Sequence, residues 1–208
     1  MLVIGITGGI GAGKSKVLNY IQEKYCCRII LADEVGNEVK KPGDECYKKL
    51  VILLGNDILN EDNTINKIKM ADIIFSDEVL LKSVNNIIHP AVTTYILNQI
   101  EKEKKENIID FFFIEAALLI ECGYALYVDE LWYIHAKSDI RKKRLRESRN
   151  YSEEKIERIM SGQLSDEMFK SHCNITIDNS SDFENTKLQI DKKLGEELWK
   201  MQKNTQDN

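Results

Sequence analysis

Eight residues near the start of the chain, Gly8-Gly9-Ile10-Gly11-Ala12-Gly13-Lys14-Ser15, satisfy the pattern GxxxxGK[ST]. Glycines at these places let the backbone curl so that successive N–H groups point inward and approach phosphate oxygens with no Cβ in the way. The N-terminus of a following helix adds a potential that favours an anion. Lys14 is then placed to neutralise β- and γ-phosphates, and Ser15 to offer its hydroxyl to Mg²⁺. The chemistry implied is the binding of ATP or a similar triphosphate with its magnesium ion. A glycine-rich turn that happens to carry Lys-Ser is the competing reading, and the apolar run before the loop and the helical spacing after it argue against that. A second group is Arg141, Lys142, Lys143, Arg144, Arg146, Arg149 and Arg158, which concentrates positive charge in an otherwise acidic chain. Arginines on a helical lid can close over a triphosphate, stabilise the charge of a transferring phosphoryl group and exclude water. A solvated helix face accounts for part of the same run.

The elements that must hold these groups follow from periodicity. Residues 2–6 form a short apolar run, and Val17, Leu18, Ile21 and Tyr25 recur at helical spacing, so the loop lies between a strand and a helix. Residues 28–32 make a second strand ending at Asp33. From there to about residue 105 the pattern is helical, with breaks expected at Pro42-Gly43, around residues 55–66 and at Pro90. Residues 108–114 are almost continuously apolar, as expected of a strand buried on both faces, and residues 130–135 look similar. A charged helical segment covers about 138–163, residues 173–177 give a fifth strand, and a last helix runs to about 201 before a polar tail. Strands alternating with helices predict a three-layer, doubly wound parallel α/β fold. The expected organisation is one domain over residues 1–208, with a helical lobe at about 34–105 and a lid at about 138–163.

Composition narrows the partners. A formal charge of −5 argues against a broad nucleic-acid footprint, so any anion site must be local. The five cysteines show no CxxC pair and no metal-ligand spacing, and Cys26 and Cys27 are adjacent, which points to reduced thiols. No run reaches the roughly 18 apolar residues of a membrane span, and the chain opens at once on a strand. A cytoplasmic protein with no membrane or obligate protein partner is the expectation.

A P-loop alone does not separate motors, GTPases and metabolite kinases. The wider run from Ile6-Thr7 through Ser15 resembles the N-terminal signature of dephospho-coenzyme A kinases, and further segments come in that family's order: Asp33, His89-Pro90, Leu118-Leu119-Ile120-Glu121, the stretch from Arg144 to Gln163, and Ile177-Asp178-Asn179. The resemblance covers about residues 2–180. It implies transfer of the γ-phosphate of ATP to the ribose 3′-hydroxyl of dephospho-coenzyme A, the final step of coenzyme A biosynthesis. It assigns Asp33 the role of catalytic base and a place on the acceptor. At the carboxyl end of the second strand such a carboxylate would lie in the crevice where doubly wound sheets bind ligands, able to orient the hydroxyl and take its proton. The competing role for Asp33 is a helix N-cap. Lys14, Arg144 and Arg149 are the other candidates for catalysis, with Arg141 one helical turn before Arg144 as an alternative. His89 stands either against the substrate or only at a helix boundary made by Pro90. Asp178-Asn179 is either part of an adenine pocket or ordinary turn chemistry, and the turn is the favoured reading. The family commonly has an Asp two residues before the base, where this chain has Leu31, and a proline where it has Ala117.

Three other functions fit parts of the sequence. Asp33-Glu34-Val35-Gly36 matches the DxxG element of a GTPase and Asn185-Thr186-Lys187 is similar to a guanine-reading motif, but Gln189 stands where that motif needs Asp. A nucleoside monophosphate kinase would share the core, lobe and lid and differ only in acceptor. A nucleotide-binding regulator would need neither Asp33 nor the arginines.

Overall fold

The computed structural model describes residues 1–206, and side-chain surroundings for residues 1–203. The chain divides into two compact units, one formed by residues 1–29 with the chain from 106 onward, the other by residues 30–105.

The first unit is built on strands β1 (Leu2–Thr7), β3 (Phe111–Glu115), β4 (Glu130–His135) and β5 (Ile175–Asp178), with β2 (Cys27–Leu31) completing a five-stranded sheet in the order β2-β3-β1-β4-β5. β1 is central and pairs in parallel with β3 on one side and β4 on the other, and β4 pairs in parallel with β5. Burial on both faces explains the unbroken apolar runs: Phe111, Phe112, Phe113, Ile114, Trp132 and Ile134 are all fully enclosed. This is the doubly wound parallel α/β fold expected from the pattern. Strand edges differ from expectation where polarity or hydrogen bonding decides. Ile108 is exposed and β3 starts three residues later, and Ala32 opens a helix instead of closing β2.

Helix α1 (Lys14–Lys24) follows the phosphate loop and buries Val17, Leu18 and Ile21. The charged segment is two helices, α6 (Ser138–Arg149) and α7 (Glu153–Ser161). Asn150, with φ of 51°, closes α6 in the left-handed conformation that Asn tolerates, and the Ser152 hydroxyl caps α7. A short α8 (Asp166–His172) precedes β5, and α9 (Phe183–Gln206) continues five residues past the expected end.

The second unit is helical: α2 (Ala32–Glu38), α3 (Glu45–Leu54), α4 (Lys67–Phe75) and α5 (Glu78–Glu106). The later helices start on side-chain caps, with Asp44 accepting from the Cys46 N–H at 2.8 Å and Asn66 from the N–H groups of Ile68 and Lys69 at 3.0 Å. Asp77 does the same for Val79 and Leu80 ahead of α5. The break expected at Pro90 does not occur, because α5 runs through it. Proline removes one intrahelical bond, about 3 kcal/mol, but twelve helical residues precede it and sixteen follow, so the helix propagates from both sides.

Candidate active site

The phosphate loop joins the central strand β1 to α1, and its conformation demands glycine. Gly8 has φ of 150° and a Cβ there would stand 2.5 Å from the Ile134 carbonyl oxygen of β4. Gly13 has φ of 91°, and its Cβ would collide with the Asn179 side-chain amide. With β4 and the end of β5 this close, the turn fits only with glycine at both places.

Four side chains distant in sequence bind the loop's backbone. Arg141, from α6 and only 6% exposed, donates from Nε to the Ile10 carbonyl at 2.9 Å and from Nη2 to Gln163 Oε1 at 2.7 Å. That same Gln163 oxygen accepts from the Ile10 N–H at 3.0 Å, so one arginine and one glutamine secure both backbone polar groups of a single residue. Arg144 donates to the Ala12 carbonyl at 3.2 Å and to the Asn179 carbonyl at 2.8 Å. Buried Asn179 donates from Nδ2 to the Ala12 carbonyl at 2.7 Å, while its Oδ1 accepts from the Thr186 hydroxyl at 3.0 Å. With the loop's carbonyls occupied in this way, the peptide dipoles are fixed from one side. Burial pushes the Arg141 guanidinium below its ordinary range, opposed by Tyr133 and Asp166. The cation persists because planar donors meet fixed oxygens.

Lys14 donates from Nζ to the Gly8 carbonyl at 2.8 Å and lies 3.4 Å from Glu115 Oε1, both side chains being about 85% covered, with relative exposures of 15% and 16%. Glu115 ends β3, the strand beside β1, so sheet order alone carries a carboxylate to the mouth of the loop. Ser15 is exposed in the first turn of α1. Its hydroxyl and the Glu115 carboxylate are the oxygen donors that a hard cation such as Mg²⁺ takes alongside phosphate and water.

The basic run splits into parts. Arg141 and Arg144 engage the loop, Lys142 and Arg146 pair with Glu153 at 3.3 and 3.2 Å across to α7, and Arg149 is exposed in the last turn of α6. Asn179 is more than a turn residue. Asp178 takes the turn role, accepting from the Ser180 N–H at 3.0 Å, and Asn179 holds the loop.

In the second unit, Asp33 is exposed in the first turn of α2. The N-cap position belongs to Leu31, so capping is not the work of Asp33, and a carboxylate near the helix N-terminus is favoured by the dipole. His89 is exposed in the interior of α5, directly before Pro90. Sequence reasoning did not single out Glu115 or Gln163. An acidic residue closing a buried apolar strand was a readable sign of the first, but nothing local marks the second.

A five-stranded parallel sheet whose central strand feeds a glycine-rich phosphate loop and then a helix defines a P-loop nucleotide-binding protein. A family model described as dephospho-CoA kinase matches residues 2–185, and the chain belongs to that family. It is similar to the dephospho-CoA kinase of Streptococcus mutans, 33% identical over 92% of this chain and 96% of the relative. The Aquifex aeolicus dephospho-CoA kinase is 36% identical over 94% of this chain and 96% of its own length. Among solved structures, a Thermus thermophilus protein superposes with a TM-score of 0.78 at 21% identity, covering 94% of this chain and 97% of its own. The dephospho-CoA kinase from Campylobacter jejuni does so with a TM-score of 0.69 at 21% identity, covering 93% and 96%. These two likenesses carry the fold.

Proposed function

We propose that this protein transfers the γ-phosphate of ATP to the ribose 3′-hydroxyl of dephospho-coenzyme A, releasing ADP and coenzyme A, in the cytoplasm. The observation that carries the reading is the family match over residues 2–185, and the braced phosphate loop supports it. On the donor side, the N–H groups of residues 8–15 and the Lys14 ammonium hold the ATP phosphates. Arg141, Gln163 and Asn179 keep that cradle in shape, so little reorganisation is left for the moment of reaction. Arg144 and Arg149 supply positive charge from the lid. Ser15 and Glu115 are the residues that would hold Mg²⁺, which when bound neutralises phosphate charge and helps align the transferring group.

On the acceptor side, Asp33 accepts a hydrogen bond from the ribose hydroxyl and takes its proton as the new O–P bond forms and the bond to ADP breaks. His89 contributes to acceptor binding. Positioning and electrostatics account for most of the rate. The test is ADP release with ATP and Mg²⁺, comparing dephospho-coenzyme A with adenosine and a panel of nucleoside monophosphates, with mass spectrometry of the product. One added phosphate on dephospho-coenzyme A alone is expected. Turnover of a monophosphate only would replace the acceptor, and ATP binding without any phosphorylated acceptor would leave a regulator.

A further inference from the structure

The helical unit has a cleft of about 370 Å³ between the end of α2 and the start of α4 whose wall differs from the rest of this acidic protein. Lys40, Lys41 and Lys67 line it, Pro42, Ile65 and Met70 give it an apolar side, and no carboxylate belongs to it. Lys41 is neutralised by Glu38 at 2.7 Å. Lys40 and Lys67 form no ion pair and no side-chain hydrogen bond among the described residues. Lys40 is half-buried, and burial followed by the charge of Lys67 lowers its pKa, while Cys46 and Asp33 oppose the shift. Two like charges side by side with no carboxylate bonded to either are an arrangement that an anion relieves. The larger cleft of the same unit, about 550 Å³, lacks this character, since Asp44 and Glu45 stand in its wall against Lys49.

The spacing from Asp33 suggests which anion. Lys40 follows it by seven residues, just past the end of α2 at Glu38 and so within about 11 Å at helical rise, and Lys40 senses the Asp33 charge. A nucleoside with its ribose at Asp33 has its 5′-phosphates within that span. We infer that Lys40 and Lys67 bind the 5′-diphosphate of the acceptor, and that Pro42, Ile65 and Met70 seat the chain beyond it. The inference rests on the acceptor proposed above, a nucleoside carrying a diphosphate ester.

Lys40→Ala and Lys67→Ala test it by steady-state kinetics in both substrates. Each loses a charge-assisted contact, so KM for dephospho-coenzyme A is expected to rise about tenfold or more, with KM for ATP and kcat nearly kept. Lys40→Arg and Lys67→Arg are expected to recover most of the loss, because the charge is retained. An unaltered acceptor KM with an active wild-type protein overturns the diphosphate site alone. A parallel fall in kcat and in both affinities, not recovered by arginine, also overturns it, since that marks a structural role. A wild-type protein that phosphorylates other acceptors but not dephospho-coenzyme A overturns the proposed function and this site with it.

Discussion

The two units are stabilised by different kinds of contact. Around the phosphate loop, the side chains that fix the backbone come from far away in sequence: Arg141 reaches back 131 residues to Ile10, Asn179 reaches 167 to Ala12, and Gln163 reaches 153 to Ile10. In the helical unit the polar contacts at the helix starts are local, and a longer one, from the Tyr47 hydroxyl to the Asn63 carbonyl, spans 16 residues. Asp44, Asn66 and Asp77 each bond backbone two or three residues onward, and Asp62 bonds Thr64. Exposed apolar side chains do not separate the units, since Ile52, Ile68, Phe75 and Val79 stand in water in this one and Ile108, Leu126 and Leu188 in the other. Long-range ties make a site whose geometry is lost only with the fold, whereas local ties let a segment open by itself. On the proposed function, the half that holds ATP is then preset and the half that receives the longer, flexible acceptor is adaptable.

The largest effects should fall on the groups assigned to the chemistry. Lys14→Ala is expected to abolish measurable phosphoryl transfer and to weaken ATP binding in calorimetry. Asp33→Asn is expected to lower kcat by about 10²–10⁴, the usual contribution of a general base, while ATP affinity holds. If the two variants lose ATP affinity equally, the division into donor and acceptor halves is wrong. Next comes Arg141→Ala, which strips a buried charged donor from the Ile10 carbonyl and from Gln163. We expect about 2–3 kcal/mol less stability in urea titration and a raised KM for ATP. Arg141→Lys should recover little, because an ammonium cannot span both oxygens as the planar fork does.

The same contrast explains what the sequence could reveal. The loop and the parallel sheet were legible, because each depends on a run of neighbouring residues, and β2 was too except that it stops at Leu31, one residue short of the expected end. The roles of Gln163 and Asn179 were not, since both depend on the strand order β2-β3-β1-β4-β5, which no local pattern states. Glu115 lies between these cases: its strand was clear, but its closeness to Lys14 follows only once β3 is known to adjoin β1. Arg144 was singled out, yet what it holds is the Ala12 and Asn179 carbonyls, a backbone contact that side-chain spacing cannot foretell. Pro90 misled in the opposite direction, because a strong local breaker was outweighed by the long helix around it.

A smaller test addresses locality directly. Asp44→Ala removes the cap of α3, at a cost of about 1 kcal/mol. Hydrogen exchange should accelerate in α3 and leave β1 and β4 as protected as before. Equal acceleration in the sheet would mean that the two units unfold together and that the contrast between them has no energetic meaning.

The smallest effect expected is at Thr7, the last residue of β1. Its hydroxyl is buried with no hydrogen-bond partner among the described residues, immediately before the loop that Arg141, Arg144, Gln163 and Asn179 brace. A buried hydroxyl without a partner recovers none of its desolvation cost and valine has nearly the same shape, so the exchange is near-neutral to stabilising: Thr7→Val should raise the melting temperature slightly and leave KM for ATP alone. A lower melting temperature would mean that the hydroxyl is satisfied in solution, for example by a trapped water. The bracing of the loop would then extend one residue further into the strand than the protein's own contacts indicate.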